Sequence, residues 1–243
     1  MSNWRLGVFC LFFMINHNKC LSQNSKSCGN QQWLQYYNQY VIAKKYTLFS
    51  DAGIRTANNG SRWSQWLIRT SLGYPITKKL NGASGIAFFY HFANKSNDVL
   101  EFRPFQELNT DHTFSITKIQ HRFRTEARLY SQMGDEISNN QQQFDLRLRY
   151  RLMCIIPVLT TKTQKYSINV GNEFFYSYRL VLANTPIVAN RVLLGVTWKT
   201  CNNITWSLIY NAQRSRRMNP DFTESTDIIW VSLTHIVTSK KFK

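Results

Sequence analysis

Phe144-Asp145-Leu146-Arg147-Leu148-Arg149-Tyr150-Arg151-Leu152-Met153-Cys154-Ile155-Ile156 alternates between apolar and charged side chains for most of its length. Successive side chains of a β-strand point to opposite faces. The stretch therefore lays Phe144, Leu146, Leu148, Tyr150, Leu152, Cys154 and Ile156 along one face and Asp145, Arg147, Arg149 and Arg151 along the other. One such strand is weak evidence. The same alternation recurs along the chain between turn-like segments, and repeated strands of roughly ten residues, apolar on one face and polar on the other, mark a transmembrane β-barrel.

Period-two reading predicts strands at about 32–42, 45–56, 62–74, 84–93, 98–108, 117–131, 142–157, 165–178, 187–200, 203–214 and 226–238. Helical periodicity is not convincing anywhere. The expected fold is all-β: a single closed antiparallel up-and-down transmembrane β-barrel of 10–12 strands. Eleven segments sit uneasily with the even counts of bacterial single-chain barrels, so either a strand is merged, giving twelve, or the first is incomplete, giving ten. A soluble barrel or sandwich with its Leu, Phe and Val face turned inward is the competing architecture.

The connections alternate in character. Ala43-Lys44-Lys45, Thr77 to Asn81 and Thr160 to Lys165 are short and Lys-rich, whereas Gly134 to Gln141, Leu182 to Val188 and Arg216 to Ser225 are longer and more varied. Outer-membrane barrels have short periplasmic turns and longer outer loops, which assigns the Lys-rich set to the periplasm. The strand at 32–42 then begins on the outer side.

Composition bounds the class. With 243 residues, 43% hydrophobic and 14% aromatic, the chain forms one sizeable domain and does not read as disordered. Arg5 followed by the apolar run Leu6 to Ile15 reads as a secretory signal at 1–23, since about ten apolar residues fall short of the roughly twenty that a spanning helix needs. Residues 24–31 read as a short N-terminal segment and 32–243 as the barrel. The expected location is the outer membrane of a Gram-negative bacterium. No lipid anchor is expected at Cys10 or Cys20. Cleavage leaves Cys28, Cys154 and Cys201, an odd set that argues against a disulfide framework.

The formal net charge of +17 raises the question of an anionic partner. Nucleic acid is not expected, because the arginines alternate within strands instead of clustering on one arm. The expected partners are membrane lipid and small anionic solutes.

One dense constellation remains. Arg55, Arg69, Arg103, Arg122, Arg124, Arg128, Arg147, Arg149, Arg151 and Arg191 share the polar parity with Asp51, Glu101, Glu107, Glu126, Asp145 and Glu173. These ions either pair with one another and fill a narrow barrel, or line a pore that favours anions, as rings of Arg and Lys do. Matching opposite charges across strands sets Glu126 opposite Arg147, Arg128 opposite Asp145, Arg103 opposite Glu126, Glu101 opposite Arg128, Glu107 opposite Arg122 and Glu173 opposite Arg149. Glu126 is then the hub of an interior network and Glu173 its second anchor. No catalytic set stands out: His91, His112, His121 and His235 lack a nucleophile motif, His112 is read in a connection, and His121 has outward parity. No metal or cofactor is expected. The chain reads as non-enzymatic, with an envelope lipid-modifying hydrolase carrying a rim site as the alternative.

Several strings carry a family resemblance: Glu101-Phe102-Arg103-Pro104-Phe105-Gln106, His121-Arg122-Phe123-Arg124-Thr125-Glu126-Ala127-Arg128, Arg147-Leu148-Arg149-Tyr150-Arg151, Asn172-Glu173 and Asn190-Arg191. With the Trp33 hairpin and Trp66-Leu67-Ile68-Arg69, the chain resembles the domain of unknown function 2490, a family of expected outer-membrane barrels. Val188-Ala189 before Asn190 and the cysteine at 154 depart from its pattern. The resemblance implies an outer-membrane barrel and brings no activity with it.

Overall fold

The computed structural model describes residues 25–43, 46–93, 97–133, 143–179, 186–200, 203–217 and 223–238. The signal segment at 1–23, the Lys44-Lys45 pair and the whole Gly134 to Gln141 connection lie outside the described residues.

Eleven strands run β1 Ser25–Ala43, β2 Tyr46–Ala57, β3 Arg62–Pro75, β4 Leu80–His91, β5 Val99–Phe114, β6 Thr117–Gln132, β7 Gln143–Thr160, β8 Lys165–Arg179, β9 Ile187–Lys199, β10 Ile204–Arg217 and β11 Thr223–Thr238. They close into one barrel in chain order. Among the described residues the count is eleven, inside the expected range of 10–12, with no strand merged and the first one complete enough to pair on both sides. In an up-and-down barrel with an odd count the first and last strands run the same way. β1 accordingly pairs with β11 in parallel, from Ser25 beside Thr223 to Val41 beside Thr238, and every other neighbouring pair is antiparallel. The expectation of an all-antiparallel barrel is corrected at that seam. β1 begins at Ser25.

The direction of each strand sorts the connections. The turns after β1, β3, β5, β7 and β9 gather at one end, with the N-terminus of β1 at the opposite end among the longer connections. Asp98 closes one of these longer connections by accepting from the Tyr90 hydroxyl at 2.6 Å and the Ala93 amide at 2.8 Å. Those two bonds hold its carboxyl below the usual carboxylate range.

Each charged residue of the constellation keeps its expected face, although the alternation flips past irregularities at Arg55/Thr56 and Pro157/Leu159, and two hairpins sit two residues from the expected register. β6 and β7 pair as expected, with Glu126 opposite Arg147 and Arg128 opposite Asp145. Between β5 and β6, Glu107 faces Arg124, Phe105 faces Glu126 and Glu101 faces Tyr130, so Arg103, Glu101 and Glu107 do not face the partners expected of them. The cause is the turn. β5 continues to Phe114, which pairs with Thr117 across Ser115-Ile116, and Ser115 adopts a left-handed φ of 53°. A two-residue hairpin loop fixes register by its own geometry. It also places His112 inside β5 and not in a connection. Between β7 and β8, Glu173 faces Arg151 instead of Arg149. There the ladder is irregular between Pro157 and Leu159. Proline cannot donate to a ladder and is tolerated at such bulges.

Among the lumenal glycines, Gly85 sits in the tightest place. A Cβ on Gly85 would clash with the Thr70 carbonyl oxygen and the Ser71 Cβ and lie 2.8 Å from the Phe105 ring. Gly29 has open space, its nearest neighbours being Thr226 atoms at 4.0 Å. Gly85→Ala should therefore cost about 1–3 kcal/mol through overpacking, while Gly29→Ala leaves stability within about 0.5 kcal/mol. Denaturant unfolding of the two variants in lipid vesicles checks this, and equal midpoints would contradict the packing described.

Candidate functional site: the ionic lumen

Every charged residue named in the sequence constellation has the inward parity of its strand. The outward wall is apolar, with Leu148 45% exposed, Phe174 53% and Phe123 54%. Inward, Glu101, Glu126, Asp145 and Glu173 are 2% exposed or less. The ten arginines line a central cavity of about 1120 Å³.

Glu126 gathers four guanidinium groups: Arg149 at 2.7 Å, Arg103 at 3.5 Å, Arg124 at 3.6 Å and Arg147 at 4.0 Å. Glu173 accepts from Arg122 at 2.7 Å, Arg149 at 2.8 Å and Arg191 at 3.2 Å. Arg149 thus bridges the two carboxylates. Glu101 receives Arg128 Nε at 2.6 Å and Arg103 at 2.7 Å, and Arg128 reaches on to Asp145 at 3.2 Å. Glu107 accepts from Arg124 Nε at 2.6 Å and lies 4.0 Å from Arg122. Asp51 holds Arg69 at 2.7 Å.

Many of these contacts are diagonal, since the register differs from the one that charge matching favoured. Arg128 still finds Glu101, and Arg149 still finds Glu173, because neighbours two positions off lie about 7–8 Å apart and a guanidinium on its long stem spans that gap.

Three lumenal features went unread in the sequence. The first is aromatic. Trp33, Phe89, Phe105 and Phe175 face inward and carry guanidinium groups on their rings: Arg55 lies 3.8 Å from the Trp33 centroid, Arg103 3.8 Å from Phe89, Arg124 4.7 Å from Phe105 and Arg191 4.8 Å from Phe175. Their inward parity was the available signal. The second is His91, whose Nε2 lies 2.9 Å from Glu101. The third is a set of amides. Gln65 accepts from Arg55 at 2.5 Å and Gln213 from Arg191 Nε at 3.1 Å.

The other described histidines point outward. His121 meets the Tyr150 hydroxyl at 2.9 Å, His112 the Thr110 hydroxyl at 3.4 Å and His235 the Tyr36 hydroxyl at 3.3 Å. Among the described residues no group of His, Cys, Asp or Glu could hold a metal ion. Cys154 is a free thiol on the outward face of β7, and Cys201 lies outside the described residues.

Removing the Glu126 carboxylate leaves four guanidinium groups facing one another, and stripping one partner from a buried ion pair costs about 3–5 kcal/mol. Glu126→Ala should destabilise the barrel by that order and by more than Asp145→Ala, which removes a carboxylate nearer the end of its strand. Adding Arg149→Ala to Glu126→Ala should recover part of the loss. Unfolding midpoints of the three variants decide it, and a Glu126→Ala protein as stable as the parent would sink the assignment of Glu126 as hub.

Comparison with known families fits this arrangement. The model described as "Protein of unknown function (DUF2490)" matches residues 30–224, from β1 into the start of β11. No curated protein matches the chain. A match of that extent, over residues forming a closed barrel with an arginine-rich interior, means that the chain belongs to the DUF2490 family.

Proposed function

We propose that the protein is an outer-membrane β-barrel of a Gram-negative bacterium, exported through its N-terminal signal segment, non-enzymatic, with a narrow anion-preferring lumen. The observation that carries the lumenal part is the imbalance of charge around an open volume: ten arginines meet six carboxylates around about 1120 Å³ of cavity. An interior that served only as packing would need neither the excess nor the space.

The outer wall supports the membrane assignment. Leu34, Ile54, Ile68, Leu108, Leu148, Val170, Leu194, Leu208 and Ile229 are all exposed and all point outward. Aromatic side chains flank this band. Tyr166 and Trp198 stack at 5.9 Å near the turn end and Trp66 and Tyr90 at 5.6 Å towards the other. On β8, Tyr166 and Tyr176 are separated by about 34 Å of strand, or about 26 Å along the axis at a tilt of about 40°. That is close to the roughly 25 Å apolar band of outer-membrane barrels, with its aromatic girdles. Membrane lipid is thus the partner of the outer wall and small anions that of the lumen.

Leu148 faces outward in the middle of β7, where an arginine costs about 2–4 kcal/mol at the bilayer midplane. Leu148→Arg should block stable assembly, whereas Arg149→Leu should leave a barrel in the membrane with a disturbed interior. The mature protein should migrate differently in detergent gels before and after boiling, and extraction by salt or carbonate alone would overturn the membrane assignment. Planar-bilayer recordings of the refolded protein under a salt gradient should give a reversal potential set by the anion. Cation selectivity, or no conductance, would overturn the pore.

A further inference from the structure

Among the described residues, the lumenal guanidinium groups other than Arg55 and Arg151 each have a carboxylate within 4.0 Å. The one hydrogen bond of Arg55 among the described residues runs from Nη1 to the neutral Gln65 amide at 2.5 Å. Its Nε is buried and has no partner. Gln65 in turn contacts His91 at 3.0 Å, and His91 contacts Glu101 at 2.9 Å. Through these side chains Arg55 reaches only Glu101, which is already committed to Arg103 and Arg128.

The surroundings of Arg55 add positive charge. Arg191 lies 5.1 Å from the same Trp33 ring that Arg55 approaches at 3.8 Å. Arg103 lies 3.8 Å from the Phe89 ring, with Arg55 at 5.7 Å from it. Two aromatic rings therefore gather three guanidinium groups at one place in the lumen, and all three border the cavity. Cation–π contact offsets part of the repulsion, yet a ring face brings no net negative charge. Arg191 spends Nε and Nη2 on Gln213 and Nη1 on Glu173, whereas Arg55 keeps most of its donors unspent.

We propose that this corner of the lumen binds a small phosphate-class oxyanion, with Arg55 as the principal donor and Arg191 as the second charge. The guanidinium fork matches phosphate and carboxylate oxygens. A dianion answers two converging cations better than a monocarboxylate, and chloride cannot engage a fork bidentately. The source is a soluble phosphate or phosphate monoester and not a lipid headgroup, because acyl chains would have to enter a polar cavity while the apolar wall faces outward. The proposal rests on the anion-preferring reading of the lumen, but the two fail separately: binding is measured at equilibrium and conduction by current.

The test is titration calorimetry of the refolded full chain in zwitterionic detergent, with inorganic phosphate as the probe at constant ionic strength. Saturable binding with a stoichiometry near one is expected. Losing a charge-assisted donor weakens binding about 10- to 100-fold, so Arg55→Gln should do so. Arg55→Lys keeps the charge without the fork and should fall between Arg55→Gln and the parent. Arg214→Gln, on the outer face of β10, should bind as the parent does. Heat-modifiable migration of each variant shows that it is folded. Sulfate should compete, and acetate and chloride should compete poorly. Non-saturable heats, or a folded Arg55→Gln that binds phosphate as tightly as the parent, would overturn the site. Displacement of phosphate by micellar phosphatidic acid but not by glycerol phosphate would overturn the soluble source. A barrel that binds phosphate but carries no current keeps the site and removes the pore.

Discussion

Carboxylates are the scarce component of this interior, and the arrangement of the lumen follows from that scarcity. Each buried guanidinium must recover in the protein what it lost in water, which demands good geometry and additional hydrogen bonds. Six carboxylates shared among ten arginines allow this only if they are shared. Glu126 serves four cations and Glu173 three, with Arg149 held by both. The sharing links β5, β6, β7, β8 and β9 across the interior, tying together strands that the backbone ladder connects only to their immediate neighbours.

Where acids run out, aromatic rings and amides substitute. Exposed cation–π contacts contribute about 0.5–1 kcal/mol and desolvated ones about 2, less than a charge-assisted hydrogen bond to a carboxylate. The substitution therefore leaves Arg55 and Arg191 less compensated than Arg149. An eleven-stranded ring encloses more room than the eight-stranded barrels whose interiors side chains just fill. Long arginine stems reach into that room, and what they do not fill is bordered by positive charge.

How far the chain was legible follows from what period two can and cannot encode. Faces were legible, since a one-residue error would turn Glu126 and every arginine around it towards the outer wall. Register was only half legible, because a shift of two residues preserves every face. Charge matching favoured Glu107 against Arg122 and Glu173 against Arg149, but the left-handed Ser115 in its tight turn and the irregular ladder at Pro157 decided otherwise. Arginine length then made the difference small: Arg128 reaches Glu101 and Arg149 reaches Glu173 along diagonals. Phe105 and Phe175 were missed although they stand two residues from Arg103 and Glu173 on the same face, because aromatics in amphipathic strands are more often turned to lipid.

The odd strand count ties the seam to the lumen. A parallel pair is slightly less stable per residue than an antiparallel one, and here it must also close the ring. β1 and β11 answer with a long ladder and with aromatic packing: Trp33 lies beside Trp230 in register, the two rings edge to face at 5.6 Å, with Tyr37 a further 6.4 Å from Trp230. Trp33 is also the ring on which Arg55 rests and towards which Arg191 reaches from β9. One side chain therefore serves the closure of the barrel and two of the guanidinium groups inside it. A strand pairing that let β1 slip by one residue would turn Trp33 outward, opening the seam's aromatic contact and leaving Arg55 without its ring in the same step.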